Sequence, residues 1–234
     1  MSFTLSFTLS FSLSFSLLPS PSAIVSLALR VSQIGRMLLF GWPVYLLTHV
    51  TGRKYGSRTN HFEPSAPLFA DSERRMVVLS DIALALWMGA LGYAGATVGW
   101  MWLAKVYIVP YLWVNLWLVL ITHLQHTDQR LPHYRSKEWT WLKGALCTMD
   151  RDYGYLNYWH HHIADTHVTH HIFSYMPHYH AEEATRALRP LLGKYYLEDT
   201  VRPGLAGIAQ ALWNSFTHCR FVEDEGEVLW FKSR

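Results

Sequence analysis

Hydrophobic and polar positions follow three different rhythms along this chain. From Ser2 to Leu17, Ser or Thr alternates without a fault with Phe or Leu, a period of two that would give a strand one apolar and one hydroxyl face. No Lys or Arg precedes the stretch, so it does not match a secretory signal. It reads as a low-complexity leader, residues 1–30, unstructured or the product of a misassigned start. The second stretch, MLLFGWPVYLL at 37–47, is apolar, too short to cross a bilayer and interrupted by Pro43. Within the segment 31–78 it predicts an interfacial or half-inserted element, or else a hydrophobic staple onto the rest of the domain. The third runs from 82 to 124 and holds one charge, Lys105, in 43 positions. At ~1.5 Å rise per residue and ~20 residues per crossing, that length fits two membrane helices. The pattern therefore predicts a helical hairpin over 79–125, turning near Trp100 to Val106. A soluble core helix would show a polar face, and neither half does. Glycines at 89, 92, 95 and 99 and Pro110 are compatible with membrane helices.

Charge sets the topology. Arg53, Lys54, Arg58, Arg74 and Arg75 precede the apolar run, Arg130, Arg135, Lys137 and Lys143 follow it, and the expected turn carries only Lys105. Both flanks are therefore expected on the cytosolic side. The formal net charge of +3 is small and dispersed, which argues against nucleic acid as a partner. Two cysteines, Cys147 and Cys219, form no CxxC pair, so neither a disulfide framework nor a thiolate metal site is indicated. The expected fold is an all-α integral membrane protein: a transmembrane hairpin followed by a cytosolic His-rich helical domain, residues 126–234. The closing FVEDEGEVLWF reads as an acidic surface loop before an apolar end.

The candidate chemistry belongs to histidine. Eleven of the fourteen histidines fall between 123 and 180, and WHHHIADTHVTHH packs six into thirteen positions. His167, His170 and His171 stand at i, i+3 and i+4, a spacing that brings three imidazoles to one face of a helix. Asp165 and Thr166 are good capping types for such a helix. His123 and His126 lie where the second apolar helix ends. There is no HExxH, no ExxH, no GxSxG, no P-loop and no GxGxxG, so zinc-protease, carboxylate di-iron, serine-hydrolase and nucleotide chemistries have no motif here. An all-imidazole site suits iron, copper, nickel or zinc. Metal-bound imidazoles usually donate their other N–H to a carboxylate or carbonyl, which makes Asp150, Asp152, Asp165, Glu182 and Glu183 candidate supports. His160, His161, His162, His178 and His180 are further candidates. One helix could not turn both His160 and His161 toward His167, and both registers remain open.

With these residues in view, the chain resembles the membrane-bound fatty acid desaturases, most closely the C-terminal half of fungal and plant delta-12 oleate desaturases. The likeness runs from about Gly35 to Lys232, with a desaturase-like domain over about 35–190. It is carried by FGWPVYLLTHVTGRKY, LVLITHLQHTDQRLPHY and GALCTMDRDYGYLNYWHHHIADTHVTHHIFSYMPHYHAEEAT, and by the closing FVEDEGEVLWF. The resemblance implies a His-bound di-iron centre on the cytosolic side of the endoplasmic reticulum membrane. It also implies O2 as oxidant, an acyl-lipid substrate, and electrons from a b-type cytochrome and its NADH-dependent reductase. By the same likeness His167, His170 and His171 are the third histidine box and His126 is the additional ligand. His123, His160, His161, Asp165, His178 and His180 then support the site. The family's first two boxes, HxxxH and HxxHH, have no counterpart upstream of it in this sequence. Two irons need on the order of eight nitrogens where carboxylates are few, more than the four transferable ligands offer. Two readings therefore stand: a fatty acyl desaturase inactive as this chain, or a noncatalytic membrane protein fragment holding one metal ion or none.

Overall fold

The computed structural model describes residues 21–51, 55–199, 202–223 and 225–233. The Ser2–Leu17 alternation and the basic pair Arg53 and Lys54 lie outside those residues. Two compact units divide the chain, residues 1–116 and 117–234.

Among the described residues the first unit holds three helices. Helix α1, Pro21–Thr48, runs straight through the stretch expected to form a short interrupted element, with Pro43 inside it. It also takes in the last residues of the expected leader. Proline lacks the N–H that would reach back four residues, so Leu39 loses its helical partner. The amide of Asn115, which is buried, donates to the Leu39 carbonyl at 3.4 Å. A neighbouring side chain thus meets the acceptor that Pro43 leaves open, and the helix continues.

Helix α2 spans Arg74–Val98, and α3 spans Trp100–His126 with one widened π-turn at Ala104–Ile108. The break between them is the single residue Gly99, at φ 124° and ψ 138°, a backbone conformation that a side chain disfavours. This corrects the expected turn: Trp100 to Val106 is already helix. Gly99 donates to the Gly95 carbonyl at 3.1 Å and accepts from Leu103 at 3.1 Å, closing one helix and opening the next. A Cβ on Gly95 would meet the Trp100 ring at 2.6 Å, so only glycine admits the indole here. Beyond the break, Trp87 Nε1 donates to Tyr107 Oη at 3.0 Å. Both helices are long and apolar enough to cross a membrane, and only 6% and 17% of their most apolar windows are buried. That is too little for core helices of a soluble domain, which bury an apolar stripe at least.

The second unit is built on the end of α3, which belongs to it from Trp117 onward. It contains short helices α4 (Trp141–Ala145), α5 (Leu156–Trp159), α6 (His167–Ile172), α7 (Ala181–Leu192) and α8 (Gly204–His218). Among its described residues the expected all-helical domain also contains five short strands: β1 (Pro132–Tyr134), β2 (Asp150–Arg151), β3 (Glu198–Asp199), β4 (Phe221–Val222) and β5 (Val228–Lys232). Their order is β1-β5-β4, antiparallel, with β2 and β3 paired in parallel apart from them. In the closing segment Glu223, Glu225 and Glu227 lie in the exposed loop expected there, and the apolar ends form a strand pair that joins β1.

The core of this unit lies under the last turn of α3. Leu124, Gln125, Leu131, Met149, Tyr153, Ala164 and Val168 are buried there. A helix leaves its last carbonyls without intrahelical partners. The Leu124 carbonyl accepts from Arg151 Nε at 2.8 Å; that of Gln125 accepts from Thr148 Oγ1 at 2.9 Å and Met149 N at 3.2 Å. Residues 148–151 therefore cap α3, and the Arg151 cation faces the negative end of the helix dipole.

Candidate metal centre

Three imidazoles meet where α3 ends and α6 begins. The ligand atoms of His126, His167 and His171 all lie within 4.8 Å of one another. Ring centroids stand 5.3 Å apart for His126 and His167, 4.8 Å for His126 and His171, and 4.9 Å for His167 and His171. The i, i+4 spacing on α6 carries the pair from the HVTHH motif, and the last residue of α3 brings the third.

Backbone carbonyls orient two of these rings. His126 Nδ1 lies 3.1 Å from the Cys147 carbonyl and His167 Nδ1 lies 2.9 Å from the Ile163 carbonyl. A carbonyl can only accept, so both Nδ1 atoms carry the proton and both Nε2 atoms present lone pairs. Those Nε2 atoms face each other at 3.3 Å. Two lone pairs at that distance repel unless a cation lies between them. Nitrogens bound to one ion at ~2.1 Å stand about 3.0–3.4 Å apart at octahedral to tetrahedral angles. The donor set fits a borderline metal ion such as iron.

Electrostatics favours the neutral ligand form. Burial, with the neighbouring His126 and His171, pushes His167 down to about 3. Burial, with His126 and His170, pushes His171 down to about 4. At neutral pH both imidazoles are unprotonated and free to coordinate.

Helix α6 is anchored from beneath. Thr166 stands at its N-cap, but the Thr166 hydroxyl turns back to the His162 carbonyl at 2.6 Å. The capping acceptor comes from β2 instead: Asp150 Oδ1 takes the Val168 N–H at 2.8 Å, and its other oxygen takes the Tyr196 hydroxyl. Burial raises the Asp150 carboxyl to about 7 against these two bonds. Next to it the buried Arg151 guanidinium holds Asp128 at 2.9 Å and pairs with Asp199. The residue beside the metal-side loop is thus part of an ion-pair brace. Arg151 and the two carbonyls could not be found by sequence reasoning, because a carbonyl is present at every position.

His170 is exposed and stands at the rim, its ring 5.5 Å from His167 and 5.8 Å from His171. The other candidates are placed elsewhere. His123 has Nε2 2.9 Å from the Ser215 hydroxyl and Nδ1 3.3 Å from the Thr127 hydroxyl. His160 turns back to the Leu156 carbonyl and lies against Trp117. His161 and His162 adopt left-handed backbones, φ 53° and 59°, so residues 160–166 form turns and no single helix joins His160 to His167. The His161 ring meets His178 at 4.6 Å. His162 pairs with Asp165 at 3.0 Å, with Glu182 at 3.7 Å. His180 faces Glu183 at 3.9 Å, and Asp152 accepts from Gly154 N and Asn157 Nδ2.

Comparison with known proteins places the chain in a family. Residues 17–203 match the sequence model of the fatty acid desaturase family. The chain is 50% identical over 195 residues to a delta(12) fatty acid desaturase of Mortierella alpina, covering 83% of this chain and 48% of that protein. It is 50% identical over 202 residues to an endoplasmic reticulum omega-6 fatty acid desaturase of Glycine max, covering 84% and 51%. It is 43% identical over 210 residues to an oleoyl-12-hydroxylase of Ricinus communis, covering 88% and 53%. The chain thus spans about half the length of the curated relatives it matches. No solved structure matches it.

Proposed function

Because this chain belongs to the fatty acid desaturase family, we propose that it serves delta-12 desaturation, the introduction of a cis double bond into a lipid-linked oleoyl chain. One observation carries the proposal: imidazoles of fixed tautomer converge at the end of an apolar helix long enough to cross a membrane. In this reading α2 and α3 form a hairpin in the endoplasmic reticulum membrane, and the second unit faces the cytosol. His126, His167 and His171 hold iron and His170 completes this chain's share of ligands. The acyl chain is the substrate and O2 the oxidant, with electrons from a b-type cytochrome and its reductase.

Iron bound here would supply oxygen activation, which no side chain can provide for an unactivated carbon. The chain's own residues do the rest. The carbonyls of Cys147 and Ile163 aim the Nε2 lone pairs. Asp150 fixes α6, and with it the His167–His171 pair. Burial of His167 keeps water from competing for its nitrogen.

Donor count favours a further element of the reading. Among the described residues only three ligand atoms converge, and with His170 the set remains short of the on the order of eight nitrogens that two irons require. The chain alone is therefore proposed to be inactive. The same count supports a second reading, a noncatalytic membrane protein fragment holding one metal ion or none. Expression in a yeast that makes no linoleate tests the first: linoleate produced by this chain alone would overturn the proposed inactivity. Iron content of the purified protein tests the ligand assignment, because absence of iron bound through these histidines would remove the desaturase reading from this site.

A further inference from the structure

Helix α8, Gly204–His218, has three distinct faces. Ile208, Ala211 and Ser215 are buried against the second unit. Leu205, Ala209 and Trp213 form an exposed apolar stripe, Leu205 at 58% and Trp213 at 40% exposure. Gln210, Asn214 and His218 form a polar stripe that lines a cavity of about 290 Å³ with Asp128, Arg130 and Arg151. At 100° per residue the apolar and polar stripes lie on roughly opposite sides of the helix.

The apolar stripe runs from 205 to 213 and the polar one from 210 to 218, on different sides of the helix. A short helix with one apolar and one polar side lies along the interface. Fifteen residues rise only about 22 Å, short of the ~30 Å hydrocarbon core. The depth is set by His123, in the last turn of α3. Its Nε2 bonds the Ser215 hydroxyl at 2.9 Å, and its ring lies 5.5 Å from that of Phe216. Charge agrees as well: Arg202 and Arg220 flank α8, and no Asp or Glu occurs from 202 to 220.

We propose that α8 lies in the plane of the membrane surface at which α3 ends, with Leu205, Ala209 and Trp213 among the acyl chains and Gln210, Asn214 and His218 facing water. Basic residues at both ends reach anionic headgroups, and Trp213 takes the interfacial position that indole favours. This rests on the reading that α2 and α3 span the membrane.

The test uses the full chain in lipid vesicles, with Cys147 and Cys219 replaced by serine and one environment-sensitive fluorophore on a new cysteine. Three sites are compared: Ala209→Cys, Asn214→Cys and, as a control in α2, Leu86→Cys. Nitroxide lipids and aqueous iodide are the quenchers. The label at 209 should lose most of its emission to a nitroxide near the headgroup, and that at 214 to iodide. The control at 86 should respond to a nitroxide deep in the chains. If 209 is quenched by iodide while 86 responds to lipid, the proposal fails. It fails equally if 209 is shielded from both quenchers, since a protein surface then covers the stripe. A control at 86 open to iodide would instead overturn the spanning helices themselves.

Discussion

His167 and His160 show how little residue type alone decides. Both are histidines in one crowded segment, yet one has its Nδ1 held by the Ile163 carbonyl and its Nε2 aimed at His126, while the other lies against Trp117. Replacing His167 with alanine should reduce bound iron to background by elemental analysis, and His160→Ala should leave it within error of the parent. Asp150 makes a second prediction, for the metal-free protein. Burial pushes its folded carboxyl up to about 7 from the ordinary 3.8, so between those pH values the folded state binds more protons than the unfolded one. Its contribution to stability is therefore greatest at low pH and declines as pH rises through that window, by on the order of a few kcal/mol. Asp150→Asn can keep the bond from Val168, and denaturation from pH 4 to 8 should show the slope flattened relative to the parent.

Helix α1 illustrates why an element can outrun its local signals. Pro43 inside an apolar run predicts a break, and the break does not occur because Asn115, 72 positions along (115 − 43), donates to the freed Leu39 carbonyl. Asn115→Leu should leave that carbonyl unpaired and cost ~1–3 kcal/mol. Pro43→Ala restores a backbone N–H for Leu39, so the double variant should recover much of the loss in thermal unfolding. Additive losses would show that the Asn115 bond has another role. The turn after α2 was misplaced for a related reason. Trp100 to Val106 holds the aromatic and charged residues expected at an interface, but the backbone conformation that breaks the helix is available to Gly99 alone.

At the scale of the whole molecule, Arg151 ties together three parts of the second unit. It caps α3 at Leu124, pairs with Asp128 after that helix and pairs with Asp199 on β3. Arg151→Leu should leave the Leu124 carbonyl unpaired and take one of two cations from Asp128 and Asp199, Arg130 remaining beside both, costing about 1–3 kcal/mol. It should also loosen the His126 side of the metal cluster, read as weaker iron retention on dialysis. The sequence by itself determined the two long apolar helices, the histidine-rich segment after them and the i, i+4 pair on α6. Hydropathy and helical spacing are local quantities, and the chain carries them whatever it folds against. Only the tertiary structure decided which imidazoles share a site, which carbonyls orient them, and that α6 is capped by Asp150 rather than by its own Thr166. It also decided that FVEDEGEVLWF closes as a strand pair, and that α1 passes through its proline. Each of these depends on a partner distant in sequence, and a hydrogen bond or a shared cavity exists only once the chain has brought the two ends of it together.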